Sequence, residues 1–193
     1  MSSLVSVQAT RRELNERQAD MVRRLTHAAQ DELRAVGFEG LTVRNVAGRA
    51  AVAPATAYTY FSSKNHLVAE VFWRRLSERP RPELTKSSAA ERVVAVFADL
   101  AEFLAGEQEL AAATTAALLG TEPDVKALRV IVGTEINVRL AEALGPDHSP
   151  EVLDSLGLAW NGAMLQAGMG HTSYEAMGAR LSSAARLIIR GAR

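Results

Sequence analysis

The sequence predicts an all-α chain in two parts: an N-terminal three-helix helix-turn-helix unit and a larger helical domain after it. Three observations predict this. Apolar residues recur at spacings of three and four along most of the 193 residues. No segment reads as a strand; Val130-Ile131-Val132 lies inside the helical stripe Val125, Leu128, Val132, Ile136, Leu140, Leu144. Glycine and proline then divide the periodic stretches at Gly37, Pro54, Arg79-Pro80-Arg81-Pro82, Gly106, Pro123, Gly145-Pro146 and Gly170.

Residues 1–15 are expected to form a mobile arm. The first helix carries Val22, Leu25, Ala29, Leu33 and Val36 on one face and ends at Gly37, which suits a left-handed backbone. Phe38 and Leu41 then plug the core. Thr42 can cap a second helix whose buried stripe is Val43, Val46, Ala47 and Ala50. A tight connection, Ala51 to Ala53, leads to Pro54, which fits the first turn of a short third helix reaching about Tyr60. Phe61 plugs the core again, and Ser63 caps a fourth helix with Leu67, Val71 and Leu76. The Arg-Pro-Arg-Pro segment breaks the periodicity, so the N-terminal unit is expected to span 16–79 and the second domain 80–193. Five helical patterns follow, at about 90–105, 107–119, 123–144, 150–170 and 174–190.

Composition narrows the function. There is no cysteine, which removes disulfides and thiolate metal sites and fits a reducing compartment; the cytoplasm is expected. Residues 1–20 carry Arg11, Arg12, Glu13, Glu16, Arg17 and Asp20, so they lack the apolar core of a signal peptide. The longest near-apolar stretch, Gly157 to Gly170, covers 14 residues, whereas a membrane span needs ~20. His27, His66, His148 and His171 show no metal-ligand spacing, and no Gly-rich phosphate loop occurs. Neither catalysis nor a cofactor or metal is expected. Net charge is zero overall, but residues 1–79 hold 12 Lys and Arg against 8 Asp and Glu, a net +4, which leaves −4 for the remainder. The N-terminal part can therefore face a polyanion.

Two short helices joined by a tight turn let the second enter a major groove while the first crosses the backbone. The third helix has suitable chemistry. Thr56, Tyr58, Thr59 and Tyr60 offer hydroxyls to phosphates or base edges, and Pro54 and Ala55 offer apolar contact to thymine methyls. Arg44 can reach a guanine edge, a contact worth ~1–3 kcal/mol of discrimination. Lys64, in the first turn of the fourth helix, opposes the macrodipole, and a bound phosphate would reverse that cost. Ser63, Lys64 and the adjoining amides therefore form a candidate phosphate clamp. Arg11 and Arg12 are read first as part of a solvated tail and second as a candidate minor-groove arm.

The run from Leu41 to Leu67, LTVRNVAGRAAVAPATAYTYFSSKNHL, resembles the DNA-binding domain of the tetracycline-repressor (TetR) family. The resemblance lies in the Thr-Val-Arg helix start, the Ala-x-x-Ala core, the Thr-x-Tyr-x-Tyr-Phe recognition helix and the Ser-Lys-x-x-Leu helix start, and it covers about residues 16–76. It implies phosphate contacts from Thr42, Tyr58, Tyr60 and Lys64, with Arg44, Ala55, Thr56 and Thr59 nearest the bases. Ala53 and Ala55 depart from a pattern that often has Ser or a similar cap and Gly at these positions. The family implies double-stranded operator DNA as a partner, a small-molecule effector and a homodimer. The rival is a helical adaptor, which predicts no salt-dependent DNA binding.

For the second domain, the segment 157–170 is apolar nearly all round and so should touch neighbours on more than one side. Ala159, Ala163 and Ala167, with Leu181, Ala185 and Ile188, are the candidate dimer face, built as an antiparallel four-helix contact. A mainly apolar effector pocket is expected from Phe97, Phe103, Trp160, Met164 and Met169, with Thr114, Thr115, Asn137, Asn161 or Gln166 supplying polar contacts. Glu135, four residues before Arg139, is expected to form a surface ion pair with it.

Overall fold

The computed structural model describes residues 16–86 and 88–192. The arm, with Arg11 and Arg12, lies outside the described residues. Among the described residues there are nine helices and no strand: α1 (Glu16–Gly40), α2 (Val43–Arg49), α3 (Pro54–Tyr60), α4 (Lys64–Glu78), α5 (Ala89–Gly106), α6 (Gln108–Ala117), α7 (Pro123–Leu144), α8 (Pro150–Gly168) and α9 (Tyr174–Gly191).

Local chemistry sets the boundaries. Helical geometry in α1 breaks at Gly37, whose φ of 68° a glycine adopts without the Cβ clash of other residues. Thr42 accepts a hydrogen bond from the Asn45 amide at 3.0 Å and Ser63 one from the His66 amide at 3.1 Å, so both act as the expected N-caps. Pro54 opens α3, but Ala53 before it gives no side-chain cap. Ser88, Ser149 and Ser173 cap α5, α8 and α9.

The first three helices meet around Leu25, Leu33, Leu41, Val46, Ala47, Ala57 and Phe61, all buried. Val36 departs from the expected stripe and is 46% exposed. It belongs to the last turn before Gly37, where helical geometry breaks. The recognition pair α2 and α3 sits at the periphery, whereas α4 is buried along Leu67, Val68, Val71, Phe72 and Leu76 and packs on α1, α6 and α7. Beyond α4, α5 lies against α9 and α7, and α8 closes against α6, α7 and α9. One hydrophobic core runs through both parts.

After α4 the chain is non-helical through residue 86. Arg79 reaches back to Asp99 on α5 at 2.8 Å, and Arg81 pairs with Glu135 on α7 at 3.0 Å and with Glu142 at 2.5 Å. Arg139 donates to Glu135 at 2.8 Å, as its spacing predicts, but it is only 2% exposed. The expected surface pair is therefore a largely buried one. The reason lies outside α7: Arg139 also donates to the Leu76 carbonyl near the end of α4 at 2.9 Å, and this long-range bond draws its guanidinium inward.

Ala51, in the turn between α2 and α3, has φ 53° and is the one non-glycine with positive φ among the described residues. A left-handed residue with a Cβ costs roughly 1–2 kcal/mol, and glycine returns part of that gain as unfolded-chain entropy. Ala51→Gly should therefore raise the unfolding free energy by up to about 1 kcal/mol in a denaturant titration, and Ala51→Val should lower it.

Candidate nucleic-acid interface and effector cavity

Thr42, Arg44, Pro54, Ala55, Tyr58 and Thr59 are all exposed, and they belong to the start of α2 and the outer side of α3 opposite buried Ala57. Tyr58 is 52% exposed, while Thr56 and Tyr60 are half-buried. The Thr59 hydroxyl donates to the backbone carbonyl of Thr56 at 2.7 Å, which turns its lone pairs and methyl outward. Arg24 on α1 donates to the Ala50 carbonyl at 2.7 Å and so braces the strained turn that sets the angle between α2 and α3. Beside it, Arg23, Arg24, His27 and Arg49 line a basic concavity between α1 and α2 that the motif does not disclose. Two of its charges are partly balanced, Arg23 by Asp20 at 3.1 Å and Arg49 by Glu32 at 2.8 Å.

The start of α4 faces inward as much as outward. Lys64 donates to the Phe38 carbonyl at 3.1 Å and lies 4.4 Å from the centroid of the Phe38 ring. The end of α1 thus supplies partners for a charge that the macrodipole of α4 disfavours. The Ser63 hydroxyl donates to Glu122 at 3.1 Å while accepting from the His66 amide. Its proton is engaged within the chain rather than presented to a phosphate. Asn65 also donates to Glu122, at 2.9 Å, and Ser62 donates to Asp124 at 2.7 Å. Hydrogen bonds from its own amide and from Asn65 and Ser63 hold the Glu122 carboxyl below its ordinary pKa. Residues 122 and 124, at the start of α7, are thereby tied to the residues that follow α3.

A cavity of about 300 Å³ opens between α4, α6, α7 and α8, at the small end of the ~300–1,000 Å³ typical of ligand sites. Of the sequence candidates, Thr115, Trp160, Asn161 and Met164 line it, together with Phe72 of α4, Ile136 and Leu118. Arg129 is the charged residue of its wall. The structure places the other six pocket candidates elsewhere; Met169 is exposed and Gln166 lines the groove between α8 and α9. Phe97 is fully buried behind Trp160, its ring parallel to the indole with centroids 6.2 Å apart. Phe103 packs on Phe72 at 5.7 Å, one layer away from the cavity. Thr114 is fully buried and does not line the cavity, and Asn137 is exposed beside Gly157. Arg129, Phe72 and Glu122 are the residues that sequence reasoning missed. Each acts through contacts with a distant segment, which periodicity does not encode.

The outer faces of α8 and α9 are adjacent. Ala159 and Ala163 are half-buried and line a groove with Gly162, Gln166, Arg180, Leu181 and Ala184; Ile188 is half-buried and lines a separate depression with Val152 and Leu187. Ala167, Leu181 and Ala185 are already buried within the chain and have little surface left to offer a partner. Leu158, Leu165, Met169 and Leu187 are exposed instead, at 64%, 42%, 54% and 66%. Among the described residues no cluster of three or more His, Asp or Glu is arranged to hold a metal, and no helix is long and apolar enough to cross a membrane.

Trp160 in the cavity wall provides an optical test. Titration with a small apolar solute that enters the cavity should shift its emission, and the shift should persist in Trp73→Phe and disappear in Trp160→Phe, since Trp73 does not line the cavity. A shift that followed Trp73 instead would place the ligand elsewhere.

Residues 25–71 match the family described as bacterial regulatory proteins, tetR family. An HTH-type transcriptional regulator of Mycobacterium tuberculosis is 43% identical over 180 residues, which cover 92% of this chain and 84% of that protein. Among solved structures, a TetR transcriptional regulator from Rhodococcus sp. RHA1 superposes with a TM-score of 0.73 at 22% identity, covering 90% of this chain and 97% of that one. FadR of Thermus thermophilus, a TetR-family repressor in complex with lauroyl-CoA, superposes with a TM-score of 0.60 at 22% identity, covering 88% and 94%. The match across nearly its whole length to that mycobacterial regulator, joined to the tetR-type match over α1 to α4, places this chain in the TetR family of helix-turn-helix transcriptional regulators, which bind DNA and are not enzymes.

Proposed function

We propose that this regulator is a cytoplasmic repressor that binds a palindromic operator as a homodimer and leaves it when a small, mainly apolar effector fills the cavity. The observation that carries this reading is the position of α4. Its first turn follows directly on the recognition helix, and Phe72 on the same helix forms part of the cavity wall. A ligand that displaces Phe72 therefore acts on the helix that follows α3 in the chain.

Leu158 and Leu187 are exposed on α8 and α9, whose groove is lined by Ala159, Gly162, Ala163 and Ala184 together with Gln166 and Arg180, and its small residues allow helices of two copies to approach closely. An isologous four-helix contact there would set two recognition helices on successive major grooves, ~34–36 Å apart or a multiple of it. Release requires that the effector bind the non-operator conformation more tightly, because equal affinity for both shifts nothing. The cavity's apolar wall and charged rim suit an acyl chain with a polar head, the type of ligand that the Thermus FadR structure holds.

The test is a titration against fluorescent duplex DNA from the region flanking the gene, at two salt concentrations with scrambled competitor. The reading predicts saturable binding that survives competitor and weakens with salt. Tyr58→Phe should weaken binding to all sequences alike, whereas Arg44→Ala should lose discrimination at one base pair, by ~1–3 kcal/mol. Equal, sequence-independent losses in both would remove Arg44 from base reading. No binding even at low salt would overturn the repressor reading.

A further inference from the structure

Arg129 projects from α7 at the rim of the cavity, and its hydrogen bonds go to backbone. Nε donates to the Leu118 carbonyl at 2.6 Å and Nη2 to the Gly120 carbonyl at 2.6 Å. Among the described residues it pairs with no carboxylate. These two carbonyls belong to the turn where α6 ends, a place where helix carbonyls lack partners of their own. An exposed cation held only by neutral acceptors, at the mouth of an apolar cavity, is an arrangement that an anion can take over. Charge-assisted, bidentate bonds to a carboxylate or phosphate are roughly twice as strong as bonds to neutral carbonyls.

The same turn carries the contacts to α4. Two residues after Gly120, Glu122 accepts from Ser63 and Asn65, and Asp124 accepts from Ser62. The turn is also tight. A Cβ on Gly120 would fall on the Glu122 carboxylate and within 3.1 Å of the Asn65 amide nitrogen, so movement at 120 is transmitted to both. Ser62 and Ser63 stand between the end of α3 at Tyr60 and the start of α4.

We propose that Arg129 is the receptor for an anionic head group on the effector, and that its capture unlatches the turn 118–122 from residues 62–65, which connect the recognition helix to α4. The inference rests on the effector-released repressor reading and names the ligand class for its cavity: an amphiphile with an apolar tail and a carboxylate or phosphate head. The tail lies against Phe72, Ile136, Trp160 and Met164, and the head meets Arg129 at the rim. Glu122 is a positioning residue that acts through Ser63 and Asn65.

The experiment compares decanoate with decanol, equal in chain and different in head charge, below micellar concentrations. Binding is read by Trp160 emission and release by anisotropy of the bound duplex. For the native protein, decanoate should release the duplex at a concentration at least tenfold lower than decanol. Arg129→Gln, which keeps a donor for the turn but loses the charge, should bring the two ligands level, and Arg129→Lys should keep part of the preference. Glu122→Ala should weaken duplex binding without ligand and, by the reciprocity of linked equilibria, tighten decanoate binding. If decanoate and decanol act alike on the native protein, or if Arg129→Gln still discriminates, Arg129 is not the receptor. If Glu122→Ala changes neither binding, the latch is refuted while the receptor can stand. If neither ligand alters Trp160 emission, the cavity reading itself fails and takes this proposal with it.

Discussion

Burial of α4 on opposite sides is the constraint on which the other relationships depend. Leu67, Val68, Val71 and Leu76 are nearly inaccessible, and the helix contacts α1 toward the DNA-binding unit and α6 and α7 toward the cavity. An element packed at interior density cannot move by small independent adjustments, so displacement of one side is felt on the other. The short α3 has little core of its own. Ala57 is its single buried residue, and its packing runs mainly to α2. Its orientation therefore depends on the turn at Ala51 before it and on α4 after it.

Electrostatics reinforce the same junction. Arg79 and Arg81 leave α4 in an extended segment and are drawn to acids on α5 and α7, while Arg139 returns from α7 to the Leu76 carbonyl near the end of α4. Arg139 Nη1 and Asp99 Oδ2 are buried without hydrogen-bond partners and face one another at 3.9 Å. A buried pair of this kind contributes little net stability over an apolar replacement, yet removal of one member alone costs about 3–5 kcal/mol. Its consequence here is fixed placement of the linker. The start of α4 is held by Glu122 and Asp124 and its end by Arg139, so α7 grips the helix at both termini.

Most of the architecture was legible in the sequence because helix ends have local causes. Thr42, Pro54, Ser63, Pro123 and Gly145 mark boundaries by capping or backbone preference, and each stands where the structure begins or ends a helix. The exposed residues of α2 and α3 were legible for the same reason, since one buried stripe defines its opposite face. Directions between elements were not. Spacing identified the Glu135–Arg139 pair but not its burial, which a carbonyl 63 residues away determines. Thr114 and Thr115 are neighbours in sequence, and only the packing of α6 decides which faces the cavity. Phe97 has the composition of a pocket residue and supports Trp160 from behind instead. Ala167, Leu181 and Ala185 have the small or apolar character of an interface and are already covered by the chain's own helices.

The account's central claim is that the cavity and the recognition helix are joined through α4 and the turn before α7. Hydrogen exchange measured with and without decanoate tests it most directly, because exchange reports local opening along each helix. The account predicts altered protection in α6 and α8 around the ligand together with faster exchange at residues 62–66 and in α3. Protection changes confined to α6, α7 and α8, with α3 and the start of α4 unaffected, would contradict it.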